Sequence, residues 1–193
     1  PSEAQQVDES QRFTSGWQHN STRTDVHVRG AWFDEALAWY PNGHAVDRSR
    51  ARTAIAEAEL RWRPARGHAL GLGINSTHAW AVSAGYPDGP QQVRHALFGT
   101  YGYQHPSERW SLSASVRQER MDVRWIPLTA TIGAEHVLRA RWRVKASASR
   151  VYRVPTFNDL YWVPGGDRQL RPEQGYAAEI GLAGEQRLGT VQL

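Results

Sequence analysis

The sequence predicts an all-β protein of long antiparallel strands, and three observations support this fold class. Apolar and polar residues alternate with a period of two through most of the 193 residues. The alternating segments run for about 9–13 residues, whereas strands of globular proteins usually have about 5–6. Short and long connections between these segments also alternate along the chain. Together these features predict about ten strands.

The period of two is clearest in a few segments. Residues 54–63, AIAEAELRWR, place Leu60 and Trp62 on one face with three alanines, and Ile55 with four charged residues on the other. Ala and Glu also favour helices, but a helix would point Leu60 and Trp62 in different directions, whereas a strand aligns them. The same alternation occurs in TDVHVRGAW, HALGLGINST, WSLSASVRQE and QGYAAEIGL.

Residues 138–149 are interpreted as one more strand, with a basic side. Its apolar face would hold Leu138, Ala140, Trp142, Val144, Ala146 and Ala148. The opposite face would carry a basic ladder: Arg139, Arg141, Arg143 and Lys145. This ladder could attract an anionic ligand, or its cations could pair with acidic groups on neighbouring strands or on another domain, and the second interpretation is favoured.

The connections distinguish between kinds of β protein. Short ones are predicted near Asp34–Glu35 and at residues 64–67, 106–108, 137–140 and 184–189. Long ones are predicted at residues 41–50, 85–92, 122–127 and 153–173. Up-and-down outer-membrane barrels have short periplasmic turns and longer external loops, whereas the Greek-key connections of soluble sandwiches mix lengths. The pattern therefore predicts an incomplete, antiparallel up-and-down transmembrane β-barrel segment.

Composition agrees with a barrel wall. The mean hydropathy of −0.63 is low, as it must be when only every second residue of a strand faces lipid. Trp and Tyr recur toward strand ends, as in the aromatic girdles of outer-membrane barrels, although aromatic residues also favour strands in general. These residues are Trp32, Trp39, Trp62, Trp80, Tyr103, Trp110 and Trp142.

Several functional classes lack support in the sequence. There is no cysteine, and the eight histidines form no tight metal-binding pair, so neither a metal site nor a cofactor is predicted. Glu57 with Glu59, and Glu119 with Asp122, resemble paired carboxylates, but no nucleophile or oxyanion site accompanies them, so catalytic residues are not predicted. The chain begins without Met or a signal peptide and ends within a strand pattern, which predicts a piece of a longer protein.

Residues 147–182 carry a more specific signal. This segment resembles the C-terminal half of the barrel of TonB-dependent outer-membrane receptors. The matching residues are Ser147, Ser149, Arg153, Pro155, Thr156, Phe157, Asp159, Leu160, Tyr161, Gly166, Leu170, Pro172, Glu173, Glu179 and Gly181. GGDRQLRPE, residues 165–173, departs from the family, which more often has an Asn and Lys-Pro-Glu there.

The resemblance implies a location and a set of partners. It implies a 22-strand barrel in the outer-membrane lipid of a Gram-negative-type bacterium, filled by an N-terminal plug domain and driven by TonB–ExbB–ExbD. Residues 1–193 would then be part of that barrel domain, with the plug absent. The implied activity is import of a scarce, bulky nutrient such as a ferric siderophore or cobalamin, without catalysis and without nucleic acid.

The stretch VYRVPTFNDLYW, residues 151–162, is interpreted as the point where the chain leaves a strand and enters a structured loop. Pro155 would end the hydrogen-bond ladder, because proline has no N–H to donate. Phe157, Tyr161 and Trp162 would pack this loop against the barrel rim. Packing is favoured over direct ligand contact, and both remain open.

Two other functions are kept as alternatives. A passive porin-like barrel without a plug would show the same strands and turns. A soluble basic all-β protein that binds polyanions would fit the net charge of +4. The apolar stripes argue against the soluble protein, because they would leave large apolar patches exposed to water.

Overall fold

The computed structural model describes residues 4–41, 47–86, 88–139, 142–186 and 189–192. The strands are β1 Gln5–Asn20, β2 Thr24–Tyr40, β3 Asp47–Trp62, β4 His68–Val82, β5 Gln91–Gln104, β6 Trp110–Met121, β7 Arg124–Trp125, β8 Thr129–Arg139, β9 Trp142–Arg153, β10 Glu173–Gln186 and β11 Gly189–Gln192. A short helix, α1, spans Phe157–Tyr161. Within the described ranges, no helix is long and apolar enough to cross a membrane.

The strands form one antiparallel sheet in which nearly every strand pairs with the next one in the chain. The order is β1-β2-β3-β4-β5-β6-β8-β9-β10-β11, and the two-residue β7 pairs with β6. Within the described residues the sheet stays open, with β1 and β11 at its edges. The predicted all-β, up-and-down antiparallel architecture is confirmed. The first four strands, at 15–17 residues, are longer than the sequence interpretation allowed.

The register gives the sheet two chemically distinct faces, since directly paired residues lie on the same face. Leu60 pairs with Leu72 and Ala58 with Ile74, and this continues across the sheet as the apolar face. Its members include Phe13, Trp17, Val28, Trp32, Leu60, Leu72, Ile74, Leu97, Leu112, Val116, Ile132, Ala148, Ile180 and Leu182. The polar face includes Arg29, Glu57, Glu59, Thr100, Ser113, Arg117, Glu119, Thr131, Glu135, Arg143 and Lys145.

The sheet has almost no core of its own. In the part of the chain that the structure describes, the buried apolar residues are Ala81, Ala96, Met121, Ile126 and Leu160. By contrast, Ile74 is 59% exposed, Ile132 62% and Ile180 82%, all on the apolar face. A continuous apolar surface of this extent is unstable in water and suits contact with lipid.

The predicted connections agree with the strand bounds to within a few residues, except for one that is wrong. The turn at residues 63–67 depends on Gly67, whose φ of +79° is open to glycine and whose added Cβ would lie 2.2 Å from the Gln104 carbonyl oxygen. The predicted turn near Asp34–Glu35 does not exist, because β2 runs unbroken through both residues. Their carboxylates are satisfied inside the sheet by arginines of the neighbouring strands, Asp34 by Arg50 and Glu35 by Arg12.

The true first turn lies at residues 21–23. The Ser21 N–H donates to the Thr24 carbonyl at 2.8 Å, and the Ser21 hydroxyl accepts the Thr24 N–H at 3.1 Å. With this correction the connections alternate strictly from short to long. The Asn-Ser-Thr cluster at residues 20–22 is the turn signal that could have located it.

The prediction of a single strand over residues 138–149 is also wrong. β8 ends at Arg139 and β9 begins at Trp142, so a hairpin turn divides the segment close to the short connection predicted at residues 137–140. A register shift lies between Val137 and Arg139 at the same place. The basic ladder is therefore not one face of one strand; Arg143 and Lys145 belong to β9, and Arg141 lies outside the described residues.

Most predicted girdle aromatics lie on the apolar face near its two ends. Trp62, Tyr103, Trp110 and Trp142 mark the short-turn end. Trp32 and Trp80 lie toward the long-loop end, with ring centroids 5.8 Å apart. Trp39 is the exception, because its pairing with Gln6 and Asp47 places it on the opposite face from Trp32.

Candidate functional site

The loop between β9 and β10, residues 154–172, is here called the motif loop. It leaves the sheet at Pro155, which is buried and has no N–H to continue the ladder. α1 follows at once. Thr156 caps its first turn: the Thr156 hydroxyl accepts the Asp159 N–H at 3.2 Å, and the Asp159 carboxylate accepts the Thr156 N–H at 2.8 Å. This reciprocal capping box allows a helix of only five residues to form.

One arginine connects both ends of the motif loop. Arg153 Nη2 lies 3.3 Å from Asp159 Oδ2 in α1, and Nη1 lies 3.5 Å from Glu173 Oε2 at the start of β10. Hydrogen bonds from the Thr156 backbone and hydroxyl, together with Arg153, hold the pKa of the Asp159 carboxyl below its usual value, against the opposing effect of burial. Arg153 is 61% exposed, so these pairs orient the loop more than they stabilise it.

The motif loop is packed against the β4–β5 loop, several strands away in the sheet order. The Val163 N–H donates to the Gly85 carbonyl at 3.1 Å. Trp162 covers Gly85 so closely that an added Cβ would lie 2.5 Å from the indole ring. Position 85 therefore accepts only glycine while the two loops remain in contact.

Tyr86 is the centre of this loop–loop contact. Its ring meets Trp162 edge-on with centroids 6.0 Å apart and lies 6.5 Å from Phe157. Its hydroxyl donates to the Asn158 side-chain oxygen. Burial raises the pKa of the Tyr86 phenol, so the hydroxyl keeps the proton that it donates.

A second contact ties the far part of the motif loop to the same partner. Arg168 Nη2 lies 2.7 Å from Asp88 Oδ2, and its guanidinium stands 5.2 Å from the centroid of the Tyr161 ring. Both charged groups are well exposed, so the pair is worth about 1 kcal/mol or less.

The remaining motif residues shape the loop. Leu160, within α1, is buried at 7% exposure. The Gly166 N–H donates to the Trp162 carbonyl, and an added Cβ at Gly166 would lie 2.6 Å from the Trp162 nitrogen. Leu170 is 41% exposed and its N–H donates to the Asp167 carbonyl at 3.3 Å. Pro172 immediately precedes β10.

A cleft of about 620 Å³ opens between the two packed loops and the long-loop ends of β1–β3. Tyr86, Phe157 and Trp162 line its loop side. The sheet side carries polar groups, including Arg12 and Glu35, whose side chains pair at 2.8 Å. An aromatic wall facing polar and charged groups can bind a bulky amphipathic molecule.

Elsewhere on the polar face, charged side chains pair within a strand and between adjacent strands. Glu119 is fully buried at 0% exposure. Its Oε1 accepts from Arg94 Nε at 2.6 Å and its Oε2 from Arg117 Nη2 at 2.9 Å. Glu57 likewise accepts from Arg29 and from the Asn75 amide.

The carboxylates that looked like catalytic pairs in the sequence are therefore already engaged. Glu57 and Glu119 bind cations and an amide of neighbouring strands, Glu59 lies 3.2 Å from Arg61 Nη2, and Asp122 accepts the Val93 N–H at 2.8 Å. Their contacts are those of structural groups in a sheet.

The described part of the basic ladder also pairs within the sheet. Arg143 Nη1 lies 3.7 Å and Lys145 Nζ 3.5 Å from the carboxylate of Glu135 on β8. Among the described residues, no group of three or more His, Cys, Asp and Glu is placed to hold a metal ion.

Sequence reasoning did not identify the partners of the motif loop. Gly85, Tyr86 and Asp88 belong to a different connection, and Asn158 was not singled out within the motif. The Tyr86–Asn158 contact joins residues 72 positions apart. No local pattern indicates such a contact, although the turn signals around residues 85–90 do predict a loop there.

The comparison with protein families decides the assignment. A family model described as TonB dependent receptor-like, beta-barrel, matches residues 2–193.

The chain belongs to the TonB-dependent receptor family. This is a family of outer-membrane β-barrel receptors of Gram-negative bacteria rather than of enzymes, and the chain is accordingly a component of the outer membrane. The apolar face is then the lipid-facing side of the wall and the polar face lines the lumen. The long loops, including the motif loop, lie at the external end.

Individual relatives agree with this assignment. The chain is 33% identical over 79 residues to the vitamin B12 transporter BtuB of Photobacterium profundum, a segment that is 41% of this chain and 13% of that protein. It is similar in fold to the siderophore receptor PirA from Pseudomonas aeruginosa, with a TM-score of 0.76 and 13% identity over 94% of this chain and 37% of PirA. The FrpB iron transporter from Neisseria meningitidis gives a TM-score of 0.75 and 12% identity over 92% of this chain and 34% of FrpB. The chain thus spans about a third of these two structures.

Proposed function

We propose that this chain forms part of the wall of a TonB-dependent receptor that imports a scarce, bulky nutrient, a ferric siderophore or cobalamin. The observation that carries the proposal is the cleft at the external end, where aromatic side chains of two packed loops face polar residues of the lumen wall. In this role the chain binds and admits a ligand and catalyses no reaction.

The lumen surface supports the partners implied by the family. The polar face carries charged and hydroxyl side chains that suit contact with a folded plug domain of the same full-length protein. Arg143 and Lys145 lie near the short-turn end, where such a plug would rest. Import against a gradient would draw energy from TonB–ExbB–ExbD through that plug.

Cobalamin is the first nutrient to test, because the curated relative that is 33% identical over 79 residues is a vitamin B12 transporter. Ferric siderophores are the second, because PirA, which shares the fold, is a siderophore receptor. The two ligand classes differ in shape and charge, so one host strain can compare them directly.

The test expresses the complete reading frame that encodes this chain in a host lacking its own receptors for both nutrients. Uptake of labelled cobalamin and of iron-labelled siderophores is measured with and without TonB. Saturable, TonB-dependent uptake of one ligand supports the proposal. Uptake that is unsaturable and independent of TonB would instead favour a passive porin-like barrel, and uptake of neither ligand would contradict both named nutrients.

The role of the cleft needs a separate variant. Gly85→Ala places a methyl group into the Trp162 ring and should separate the two loops, whereas Gly165→Ala meets nothing within 4 Å. We expect Gly85→Ala to weaken ligand binding about tenfold or more while Gly165→Ala leaves it unchanged. Equal affinities in the two variants would show that the motif loop has a packing role only.

A further inference from the structure

The lipid-facing wall contains a groove that the transport function does not use. It has a volume of about 600 Å³ and lies on the apolar face across β2–β6. The short side chains of Ala56 and Ala58 form its floor, and Ile74, Leu97 and Trp125 form higher walls. A groove of this kind on an apolar wall can hold an extended acyl chain, since the side chains around it make many van der Waals contacts with the chain.

One end of the groove is polar. His95 pairs with Arg120 in the β5–β6 register, and Arg120 pairs with Trp125 of β7, so all three side chains are on the apolar face. In the described ranges no carboxylate lies within ion-pair distance of Arg120, whereas most arginines of the lumen side, such as Arg94, Arg117 and Arg143, have one. The neighbouring Gln118 amide already donates to the Ile126 carbonyl at 2.7 Å. The groove therefore ends at a cation that lacks an anion.

The height of Arg120 in the membrane fits a headgroup. Arg120 follows Trp110, at the short-turn end of β6, by ten residues. With about 3.3 Å per residue and a strand tilt of about 40°, this separation is about 25 Å along the membrane normal, the height of the apolar band of outer-membrane barrels. Arg120 and His95 therefore lie at the external boundary of the hydrocarbon layer.

We propose that this groove is a specific binding site for a phosphorylated, acylated lipid of the outer leaflet. The lipid phosphate accepts hydrogen bonds from the Arg120 guanidinium and from His95, and one acyl chain lies over Ala56 and Ala58 and against Ile74 and Leu97. Charge complementarity selects an anionic headgroup. The inference rests on the barrel fold and its membrane location, not on which nutrient the receptor imports.

The neighbouring strands supply an internal control. Arg50 and Arg52 also face outward from β3, and Arg52 likewise lies ten residues from the aromatic at its short-turn end, Trp62. Both arginines bind Asp34, at 2.6 and 3.1 Å. Their charge is already compensated. Arg52 is therefore matched to Arg120 in residue type and in height, but it already has an anionic partner.

The experiment uses the protein encoded by the complete reading frame, purified in non-ionic detergent and stripped of lipid. Bis-phosphorylated lipid A is titrated and the bound fraction is read by native mass spectrometry. We expect one molecule to bind preferentially, and Arg120→Gln to weaken its binding about tenfold, the loss typical of one charge-assisted hydrogen bond. Arg52→Gln should leave the binding unchanged.

A second pair of variants tests the acyl chain separately. Ala58→Leu fills the floor of the groove, and Ala148→Leu adds the same group on the apolar face of β9, outside it. Both substitutions are compatible with a lipid-facing wall, so both proteins should assemble. Only Ala58→Leu is expected to reduce lipid A binding.

The ligand controls separate the sources of the phosphate. Dephosphorylated lipid A should bind about tenfold more weakly, and inorganic phosphate should not compete at matched concentration. Equal binding of the phosphorylated and dephosphorylated lipids would overturn the headgroup site. Full competition by inorganic phosphate would overturn the lipid site, and so would binding that neither Arg120→Gln nor Ala58→Leu changes.

Discussion

The polar and apolar faces of this sheet are made by the same strands, yet they handle charge in opposite ways. On the polar face, carboxylates pair directly with arginines of the same strand or of the adjacent one, as at Glu119 and Glu57. Away from the β8–β9 turn, the arginines of the apolar face in the described strands lie toward its long-loop end, as at Arg52, Arg120 and Arg150. The difference teaches that the environment outside each face, and not the strand itself, selects its residues.

The largest expected effect comes from placing a charge on the wrong face. Ile74 lies midway between His68 and Trp80 on the apolar face of β4. Ile74→Arg should lower the free energy of unfolding by about 4 kcal/mol, from the cost of an arginine near the bilayer midplane and the lost apolar side chain. The measurement is urea unfolding of the complete receptor in lipid vesicles.

The matched variant is Thr131→Arg, on the polar face of β8. An arginine there enters the wet lumen and should change the unfolding free energy by less than about 1 kcal/mol. Similar losses for the two variants would mean that the faces are not separated into lipid and lumen.

The next effect comes from removing a charge from the polar face. Glu119→Ala leaves Arg94 and Arg117 facing each other without the buried carboxylate between them. We expect the free energy of unfolding to fall by about 3 kcal/mol. This is the lower end of the range for breaking a buried ion pair, because both arginines are about a third exposed. Glu135→Ala, which breaks longer and more exposed pairs with Arg143 and Lys145, should cost about 1 kcal/mol or less.

These two losses are compared by the same unfolding measurement. If Glu135→Ala cost as much as Glu119→Ala, the burial of Glu119 would have no energetic consequence. The ordering of the two values is therefore the quantity to determine.

A smaller effect is expected where the motif loop covers the external end of the polar face. Tyr86→Phe removes the hydroxyl that donates to Asn158 but keeps the ring contacts with Phe157 and Trp162. Loss of one hydrogen bond should weaken loop attachment by about 1 kcal/mol. This corresponds to roughly fivefold faster hydrogen exchange at the Val163 amide. Tyr101→Phe, on the apolar face near the short-turn end, is the control and should leave the exchange of Val163 unchanged.

The smallest effect is the pH dependence of α1. The pKa of Asp159 is lowered in the folded loop by the Thr156 N–H and hydroxyl and by Arg153. The stabilisation of the folded loop by the ionised Asp159 carboxylate is therefore fully present above the unfolded-state pKa of about 3.9. It is lost as pH falls through the lower pKa of the folded loop. Hydrogen exchange at the α1 amides, corrected for intrinsic rates, should therefore become faster as this stabilisation is lost at low pH.

The variant Asp159→Asn provides the comparison. It should abolish the acid-dependent step in exchange while leaving exchange near neutral pH slightly faster. An unchanged step in this variant would assign the acid loss to another group.

Much of the architecture could be predicted from the sequence, because it depends on patterns among residues that are close together in the chain. A period of two in segments such as residues 54–63 identifies the strands and both faces at once, and the short hairpins that join every second pair of neighbouring strands fix their register. The errors at Asp34–Glu35 and at residues 138–149 share one cause. Polar residues inside a strand look like a turn, and apolar residues across a hairpin look like a strand, until the cross-strand partners are known.

The candidate site was predicted only in part. The motif residues Pro155, Thr156 and Asp159 specify a stop, a cap and a short helix through contacts between residues close together in the chain. Where that helix goes depends on Gly85 and Tyr86, far away in the chain. Their identity as partners follows from the order of the strands in space.

By itself, then, the sequence determined the strand alternation, the chemical character of each face and the capped motif, because each depends on residues that are neighbours along one strand or one turn. Only the tertiary structure decided which loop the motif loop contacts and which arginine binds which carboxylate. It also decided that Arg120 stands beside a groove while no carboxylate of the described residues lies within ion-pair distance of it. These features arise where strands separated by long stretches of chain are brought side by side, and no local spacing records that proximity.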